Sequence, residues 1–366
     1  MTVAADRRTR LVGALAAAGL DALVVSHVTN VRYLTGYVGS NAVAVIGPHG
    51  ARVLTDSRYA VSAREQVDDE IDVVIGPGDL TANVARAVAE IAPGGSVGLE
   101  AAYVSMSRGE QLTQAIAAAG GGVQVSPEVG YVERLRVVKD QTEIDAITGA
   151  AAMTDRALAR VLERGLIGRT ERDVAFDLQS ELFREGAEGP SFEIIVAAGP
   201  NGAKPHAVPG TRAIGADELV VIDLGAIADG YCSDMTRTAI TGDIPSDLAR
   251  AYAVCFEAQA AALAAVRPGV SGAAVDAVAR DLITLEAFGE AFGHGLGHGV
   301  GMEIHEAPRV SRESTDELRP GMIVTIEPGI YLEGRGGVRI EDLAVVTEDG
   351  ARVLSQSPKA SISSTD

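Results

Sequence analysis

Short apolar runs alternate with amphipathic stretches over the first 131 residues of the chain. Runs rich in β-branched and aliphatic residues predict strands at 22–26, 43–47, 52–56, 72–75, 97–100 and 123–126. Apolar positions spaced three and four residues apart predict helices at 4–18, 57–67, 80–91 and 105–119. This alternation of strands and helices is typical of an α/β domain.

Beyond residue 131 the pattern changes to groups of helices followed by groups of strands. A connecting strand is predicted at 131–138, and Asp140 with Glu143 forms a capping pair that opens a long helix. The remaining pattern predicts helices at 140–164, 170–186, 246–267 and 271–288, and strands at 192–198, 219–227, 232–241, 322–330, 338–347 and 351–354. Grouping of this kind favours an α+β fold.

The change of pattern and the chain length together predict two domains. At 366 residues the chain exceeds the size of about 250–300 residues at which single cores stop growing. We place a smaller α/β domain at 1–131 and a larger domain at 132–356. The serine-rich stretch at 357–366 is predicted to be a flexible tail.

The net charge excludes some classes of partner, and the cysteine content indicates a cellular compartment. The net charge of −19 argues against nucleic acid or an anionic membrane surface as a partner, because both require a basic face. No apolar segment reaches the length of a membrane span, and Asp21 interrupts the alanine-rich N-terminal stretch, which is predicted to be a helix. Cys232 and Cys255 are the only cysteines, so we expect reduced buried thiols and a cytoplasmic protein.

Five residues in the second half of the chain combine hard oxygen ligands with one imidazole, namely Asp223, Asp234, His298, Glu327 and Glu341. Three of the carboxylates follow apolar runs, where a charge should be paired or bound to a metal. Asp223 and Asp234 flank a predicted hairpin turn, which would bring them side by side. Convergence of the five predicts a site for two divalent cations, and the alternative for the aspartates is that both cap strand ends.

A segment rich in glycine and histidine at 292–305 carries three of the six histidines of the chain, His294, His298 and His305. Five glycines lie among them, but no Lys, Ser or Thr follows in the register of a phosphate-binding loop. We therefore expect the glycines to let the backbone approach a metal or a peptide closely. Carboxylates with one imidazole suit Mn, Co, Fe or Zn, and a pair of such ions promotes hydrolysis.

The chain resembles the pita-bread metallopeptidases, the clan of methionine aminopeptidase, aminopeptidase P and prolidase, and is most similar to the proline-specific branch. The resemblance rests on the ordered set of five ligand positions and on two motifs, Asn-Val-Arg-Tyr-Leu-Thr-Gly-Tyr at 30–37 and Leu-Thr-Asp-Ser-Arg-Tyr at 54–59. It implies a pita-bread catalytic domain at 132–356 preceded by a creatinase-type domain at 1–131. It also implies two divalent metal ions, with Mn(II) expected and Co(II) or Zn(II) as alternatives.

The same resemblance implies a role for each matched ligand. Asp223 would bind one metal, and Asp234 and Glu341 would bridge both. His298 and Glu327 would complete the coordination of the other metal. Glu327 would also act as general base toward a metal-bridging hydroxide that hydrolyses the peptide bond.

Residues around the ligands are implied to hold the substrate and to orient the ligands. His206, His294 and His305 would bind the peptide and stabilise the tetrahedral intermediate, although His206 taken alone is equally well explained as a loop histidine. Arg339 and Tyr331 would support the ligands, since a guanidinium fixes a carboxylate through a bidentate contact. Without the resemblance they would be a strand cation and a half-buried core tyrosine.

Arg309 bears on the length of the substrate. In prolidases an arginine at this position is implied to bind the free carboxylate of a dipeptide, which predicts an Xaa-Pro dipeptidase acting on small proline-containing peptides. The near alternative is an Xaa-Pro aminopeptidase that acts on longer peptides, in which Arg309 would be a solvated loop arginine. A metal-free creatinase-like hydrolase and a non-enzymatic binding module are more distant alternatives, disfavoured by the five intact ligand positions.

Proline-specific members of the clan commonly form dimers in which a loop of one N-terminal domain reaches the active site of the other subunit. The segment 33–41, with its aromatic residues and glycines, is the candidate for that loop. The resemblance therefore implies a homodimer.

Overall fold

A computed structural model of the chain describes residues 2–360 and divides it into two compact units, Met1–Arg136 and Val137–Asp366. The division falls within the segment 131–138, which we predicted to be a connecting strand. That prediction is wrong, because Tyr131–Arg136 is a short helix. Val132 and Arg136 are buried one helical turn apart, and the Arg136 guanidinium donates a hydrogen bond of 2.7 Å to Asn30 Oδ1.

The N-terminal unit contains one six-stranded mixed sheet in the order β4-β3-β2-β1-β5-β6. β2 is antiparallel to β1 and β3, and the other neighbours are parallel. The strands are β1 Ala22–Val25, β2 Val43–Gly47, β3 Gly50–Asp56, β4 Ile71–Gly76, β5 Ser96–Glu100 and β6 Gln124–Glu128. The helices are α1 Val3–Ala17, α2 Val28–Thr35, α3 Ala60–Gln66, α4 Thr81–Ile91, α5 Met106–Ala118 and α6 Tyr131–Arg136. All six predicted strands of this region are present, which confirms an α/β domain.

The segment 33–41 is more closely packed than the sequence suggested. Tyr33 lies in α2, which was not predicted, and both Tyr33 and Tyr37 are 1% exposed within their own unit. The Tyr37 hydroxyl hydrogen bonds to the Thr55 hydroxyl at 3.0 Å. The aromatic side chains of this segment therefore belong to the core of the N-terminal unit, while Val38 is 48% exposed.

The C-terminal unit combines two helix pairs with several antiparallel sheets, which confirms the predicted α+β class. Its helices are α7 Gln141–Glu163, α8 Glu171–Arg184, α9 Ser246–Ala265 and α10 Gly272–Leu285. Its strands are β7 Gly189–Pro190, β8 Ile195–Ala198, β9 Leu219–Leu224, β10 Ala226–Ala228, β11 Tyr231–Cys232, β12 Met235–Ile240, β13 Gly297–Gly299, β14 Glu306–Val310, β15 Ile323–Ile326, β16 Gly329–Leu332, β17 Gly336–Arg339, β18 Asp342–Val346 and β19 Ala351–Val353. No helix described between residues 2 and 360 is both long and apolar enough to cross a membrane.

Each helix pair covers a different set of strands. α7 and α8 share an apolar core with β8, β9 and β12, whereas α9 and α10 share one with β15, β16 and β17. α7 begins with the predicted capping box. The Glu143 backbone N–H donates to the Asp140 carboxylate, and the Asp140 backbone N–H donates to the Glu143 carboxylate, both at 3.0 Å. Each set of strands is therefore supported by its own helix pair, and ligands can converge where the two sets meet.

The predicted flexible tail at 357–366 is corrected in its first part. Ser357 donates to Asp155 of α7, and Lys359 donates to Asp342 and Gln259 at 2.7 Å each. The remainder of the predicted tail, 361–366, lies outside the described residues. Residues 357–360 are therefore held by side chains distant in sequence, which local composition does not reveal.

Both cysteines are buried thiols outside any disulfide, as predicted. Cys232 is 4% exposed and Cys255 is fully buried. Burial raises the pKa of the Cys255 thiol to about 12. Its Sγ lies 3.1 Å from the carbonyl oxygen of Pro328, so this thiol is part of the core.

Candidate metal centre

The two aspartates lie on adjoining strands, and the predicted arrangement of strand, hairpin and returning strand is confirmed. β9 pairs with β12 so that Asp223 stands opposite Thr236, and Asp234 directly precedes β12. The hairpin of β10 and β11 turns at Asp229 and Gly230, whose φ values of 51° and 76° are typical of a type I′ turn. Asp229 is exposed, whereas Asp223 and Asp234 are buried.

The other three predicted ligands come from neighbouring strands of the sheet β14-β13-β15-β18-β19. His298 is the middle residue of β13. Glu327 directly follows β15 and Glu341 directly precedes β18, and the pairing of Ile326 with Asp342 places the two glutamates at the same edge of the sheet. This edge therefore presents one imidazole and two carboxylates.

The two halves of the unit meet at these side chains. The Nε2 atom of His298 lies 3.6 Å from Asp234 Oδ2 and 3.3 Å from Glu327 Oε1. Ligand atoms of Asp234, His298 and Glu341 all lie within 4.8 Å of one another. The Asp223 and Glu327 charges act on the same group, since both raise the pKa of Glu341.

Burial and mutual repulsion oppose ionisation of Asp234 and Glu341. Burial, then the charges of Glu341 and Asp223, raises the pKa of Asp234 well above its usual range. Burial, then the charges of Glu327 and Asp223, likewise raises the pKa of Glu341. A divalent cation would reverse this balance by favouring the deprotonated carboxylates.

His298 and Glu327 form an ion pair that offsets their burial. Burial alone would lower the pKa of His298 and raise that of Glu327. Their hydrogen bond and charges outweigh this effect, so the pKa of His298 is raised and that of Glu327 is lowered. The Thr325 hydroxyl donates a further hydrogen bond of 3.0 Å to Glu327 Oε1. Glu327 is thereby held ionised and in a fixed orientation.

Two carboxylate oxygens at this point remain without a donor. Asp223 Oδ1 and Glu341 Oε1 are buried and accept no hydrogen bond from the described residues. Buried polar atoms are almost always satisfied, and carboxylates with one imidazole are ligands of Mn, Zn and related ions. The residues present therefore fit a divalent metal site, because a cation would satisfy both oxygens.

Arg339 connects several parts of this centre. It is 4% exposed and donates to Asp223 Oδ2 at 2.7 Å, to the Tyr331 hydroxyl at 2.8 Å and to Thr236 Oγ1 at 3.0 Å. The same guanidinium donates to the Pro205 carbonyl at 3.2 Å. Arg339 therefore fixes one oxygen of Asp223 and leaves the other facing the cluster.

Tyr331 extends this network to His294. Its hydroxyl lies 3.1 Å from His294 Nε2, and burial raises its pKa to about 12, so the phenol stays protonated. Burial also lowers the pKa of His294. A cavity of about 1010 Å³ opens beside His294, with Phe288, Phe292 and Leu332 on its apolar side.

The glycines flanking His298 are required for the packing of its strand. A Cβ at Gly297 would lie 2.0 Å from the Thr325 carbonyl oxygen, and one at Gly299 would lie 2.2 Å from that of Ala307. Only glycine therefore permits β13 to fit between β14 and β15. His298 can lie at this edge of the sheet because it has a glycine on each side.

His206 lies in the loop 199–210, whose two ends are joined by a buried glutamate. Glu171 is fully buried and accepts from the Ala198 and Gly210 backbone N–H groups at 2.9 and 3.0 Å. It also accepts from the Asn201 amide at 3.0 Å. His206 itself is exposed, and its charge is among those that lower the pKa of His305.

His305 and Arg309 lie on the solvent side of His298. The His305 ring packs edge-on against the His298 ring with centroids 4.4 Å apart, and burial lowers the pKa of His305. Arg309 pairs directly with His298 across β13 and β14, so both side chains lie on the same face of the sheet. Arg309 is exposed.

Three residues close to the ligands were not predicted from the sequence. Thr236 donates a hydrogen bond of 2.8 Å to Glu341 Oε2. Arg237 and Asp342, each the direct neighbour of a residue in the site, form a buried ion pair of 2.9 Å. The sequence could have indicated Arg237 and Asp342, because each is a charged residue inside an apolar strand and a buried charge needs a partner. The same argument identified Glu341.

Comparison with known families gives two matches that together span most of the chain. The family described as Metallopeptidase family M24 matches residues 145–348. The family described as Creatinase/Prolidase N-terminal domain matches residues 7–138. The first match contains all five candidate ligands and the second corresponds to the N-terminal unit.

Similar proteins extend over nearly the whole chain. The uncharacterised peptidase YqhT of Bacillus subtilis is 39% identical over 341 residues, which are 93% of this chain and 95% of that protein. The structure of an Xaa-Pro dipeptidase from Bacillus anthracis has a TM-score of 0.93 at 36% identity and covers 98% of this chain and 99% of that one. The structure of an X-Pro aminopeptidase from Thermotoga maritima has a TM-score of 0.88 at 33% identity and covers 97% and 99%.

Proposed function

The chain belongs to metallopeptidase family M24, and from that premise we propose that it hydrolyses the peptide bond before proline, with Xaa-Pro dipeptides as its substrates. Its C-terminal unit has the pita-bread fold of the family and its N-terminal unit is of the creatinase type. The observation that carries the proposal is the convergence of Asp234, His298 and Glu341 within 4.8 Å of one another. Glu327 lies beside His298, and two buried carboxylate oxygens lack a donor. Similarity to a protein described as an Xaa-Pro dipeptidase supports the substrate class.

The proposed site holds two divalent ions, with Mn(II) preferred and Co(II) or Zn(II) as alternatives. Asp223 would serve one ion, Asp234 and Glu341 would bridge both, and His298 with Glu327 would complete the other. When bound, such ions lower the pKa of a coordinated water and polarise the scissile carbonyl. The unpaired Asp223 Oδ1 and Glu341 Oε1 support these assignments.

The remaining chemistry is assigned to residues of the chain. Glu327 is the proposed general base, because its carboxylate lies beside His298 in the cluster and Thr325 fixes one of its oxygens. His294, whose ring Tyr331 orients through a contact of 3.1 Å, would line the site where the tetrahedral intermediate forms. His305 and His206, on the exposed side, would hold the peptide beside Glu327.

Arg309 is the proposed determinant of substrate length. Its exposed guanidinium lies on the same sheet face as His298, where the free carboxylate of a dipeptide could pair with it. In a longer peptide that carboxylate lies further from the scissile bond, so the pairing would be lost. The second candidate function, an Xaa-Pro aminopeptidase for longer peptides, is favoured by similarity to the Thermotoga maritima protein.

The test compares hydrolysis of Leu-Pro and Leu-Pro-Pro by metal-stripped protein supplied with Mn(II), Co(II) or Zn(II). We expect metal-dependent cleavage of the dipeptide. Preference for the tripeptide would establish the aminopeptidase instead, and no cleavage with any of the ions would contradict both functions. Arg309→Ala should lower kcat/KM for Leu-Pro by about 10–100-fold. Exposed Arg319 provides the matched control, since Arg319→Ala should leave both substrates unaffected.

We further propose that the enzyme is a cytoplasmic homodimer. Two buried thiols outside any disulfide suit a reducing compartment. Exposed Val38 and its neighbours, beside the buried tyrosines of 33–41, remain the candidate dimer contact. Gel filtration with light scattering tests the dimer, and a monomer at the enzyme concentration of the assay would contradict it.

A further inference from the structure

Residues 355–360, here called the C-terminal strap, run without helix or strand and are nevertheless fixed at their outer side. Asp155 of α7 accepts hydrogen bonds from the backbone N–H groups of Gln356 and Ser357 at 2.8 and 2.7 Å. The Ser357 hydroxyl donates to the same carboxylate at 2.6 Å. Three donors converging on one acid hold the strap in a single position.

The inner side of the strap contacts a buried polar cluster. Arg237 Nε donates to the Ser357 carbonyl at 2.9 Å. Lys359 Nζ donates to Asp342 Oδ2 at 2.7 Å and to Gln259 Oε1 at 2.7 Å. Gln259 Nε2 donates in turn to Asp342 Oδ2 at 3.0 Å. The strap therefore supplies one cation and one carbonyl to the pair formed by Arg237 and Asp342.

That pair directly adjoins a metal ligand of the proposed site. Arg237 donates to the carbonyl oxygens of Thr236 and Glu341, and its ion pair with Asp342 measures 2.9 Å. The Glu341 N–H donates to the Thr236 carbonyl at 3.1 Å, while the Thr236 hydroxyl donates to the Glu341 carboxylate at 2.8 Å. The Glu341 backbone is thus held by Arg237, which the strap contacts, and one Glu341 carboxylate oxygen is held by Thr236, whose carbonyl oxygen Arg237 also binds.

The strap cation lies beside a buried ion pair. Arg237 is 5% exposed and Asp342 is 2% exposed, so their charges are screened little by solvent. Lys359 is the only cation in residues 355–360, and its side chain is 21% exposed. Without Lys359, Asp342 keeps Arg237 and Gln259 as donors but loses its second cation, which removes one of the contacts that hold the Arg237–Asp342 pair in position.

We propose that the C-terminal strap is a positioning element of the metal centre, in which Lys359 and Ser357 fix the Arg237–Asp342 pair and thereby the direction of the Glu341 carboxylate. This inference rests on the metal site of the proposed function. Groups that orient a metal ligand through hydrogen bonds typically change metal affinity by about 10–100-fold when removed. Lys359 acts one contact further out, so we expect a loss at the lower end, about 10-fold.

The test measures Mn(II) affinity of metal-stripped protein by competition with a chromophoric chelator, together with the visible absorption of bound Co(II). Lys359→Met should weaken Mn(II) binding by about 10-fold and change the Co(II) spectrum. Lys359→Arg should restore both. Arg352→Met removes an exposed cation from β19 and is the matched control, expected to bind like wild type. Circular dichroism and the melting temperature of the metal-free proteins verify that each variant is folded.

A second variant keeps the test informative if Lys359→Met does not fold. Asp155→Asn weakens the outer anchor of the strap without touching the buried pair, and it should lower Mn(II) affinity in the same direction by a smaller factor. Wild-type affinity in folded Lys359→Met or Asp155→Asn would overturn the role of the strap while leaving the proposed function intact. Failure of the wild-type protein to bind Mn(II), Co(II) or Zn(II) would overturn the proposed function and the strap together.

Discussion

Asp234→Asn is expected to stabilise the metal-free protein while it abolishes metal binding. In the metal-free state, burial and the charges of Glu341 and Asp223 raise the pKa of Asp234. The folded protein then binds more protons than the unfolded chain between the unfolded pKa, near 3.8, and the raised value. The free energy of unfolding therefore falls as pH rises through this window, and replacing the acid with a neutral amide removes that loss.

The size of the effect follows from the distance between the charges. Ligand atoms of Asp234 and Glu341 lie within 4.8 Å of each other. Two like charges at that distance repel by about 3.5 kcal/mol at an effective dielectric constant of about 20. Proton uptake by the wild-type cluster relieves part of this repulsion, and the variant also loses the attraction between Asp234 and His298. We therefore expect the variant's free energy of unfolding to be higher by about 1–3 kcal/mol near pH 8. In a domain of this size that corresponds to an increase in Tm of about 2–12 °C.

The assay is thermal unfolding at several pH values, before and after addition of Mn(II), with hydrogen exchange of the β9, β12 and β18 peptides to localise the change. Without metal, Asp234→Asn should melt above wild type, by more at pH 8 than at pH 5. With saturating metal the order should reverse, because only wild type gains binding free energy. Asp229→Asn, in the exposed turn of the same hairpin, is the control and should change neither value.

A metal-free Asp234→Asn protein that melts at or below wild type near pH 8 would refute this reasoning. The clustered acids would then not repel one another in the folded state. A variant that still gains stability from Mn(II) as wild type does would instead refute Asp234 as a ligand. The two failures are separable because one is read without metal and the other with it.

Three further predictions concern the scaffold. Asp140→Ala removes the capping box of α7 and should lower the free energy of unfolding by about 1 kcal/mol, measured by denaturant unfolding followed by circular dichroism, with no change in Mn(II) affinity. Cys232 and Cys255 should not react with a thiol reagent in the native protein, and both should react in guanidinium chloride; rapid labelling of Cys255 without denaturant would contradict its burial. Glu171→Ala should release the His206 loop and raise KM for Leu-Pro by about 10-fold while Mn(II) affinity stays constant, and an equal loss of metal affinity would show a wider structural role.

The aspartate hairpin was predictable because its signals are local. A continuous apolar run before Asp223 and a Gly-containing turn define β9 to β12, and that pairing alone places Asp223 near Asp234. The convergence of Glu327 and Glu341 followed from a second local fact, a carboxylate at the end of an apolar strand. Their common partner His298 lies in a three-residue strand with two glycines, which has no periodicity, and only its fit between β14 and β15 defines it.

The incorrect predictions share one physical cause, which is contact between residues distant in sequence. α2 contains Val28, Val31 and Thr35, which favour strands, yet Val31 and Leu34 are buried and tertiary packing determines the helix. Residues 355–360 have the composition of a tail, and their order comes from Asp155, about 200 positions earlier in the chain. Neither contact leaves a pattern in the segment itself.

The division of the metal centre between an aspartate hairpin and a later sheet edge has a consequence for biosynthesis. Asp223 and Glu341 are 118 positions apart, which at translation rates of about 5–20 residues per second separates their appearance by about 6–24 s. For the 64 positions between Asp234 and His298, the nascent chain has only two of the five proposed ligands, and both are carboxylates. Full coordination becomes available only when the second half has been made, so the order of synthesis itself delays metal loading until the ligands that distinguish one ion from another are present.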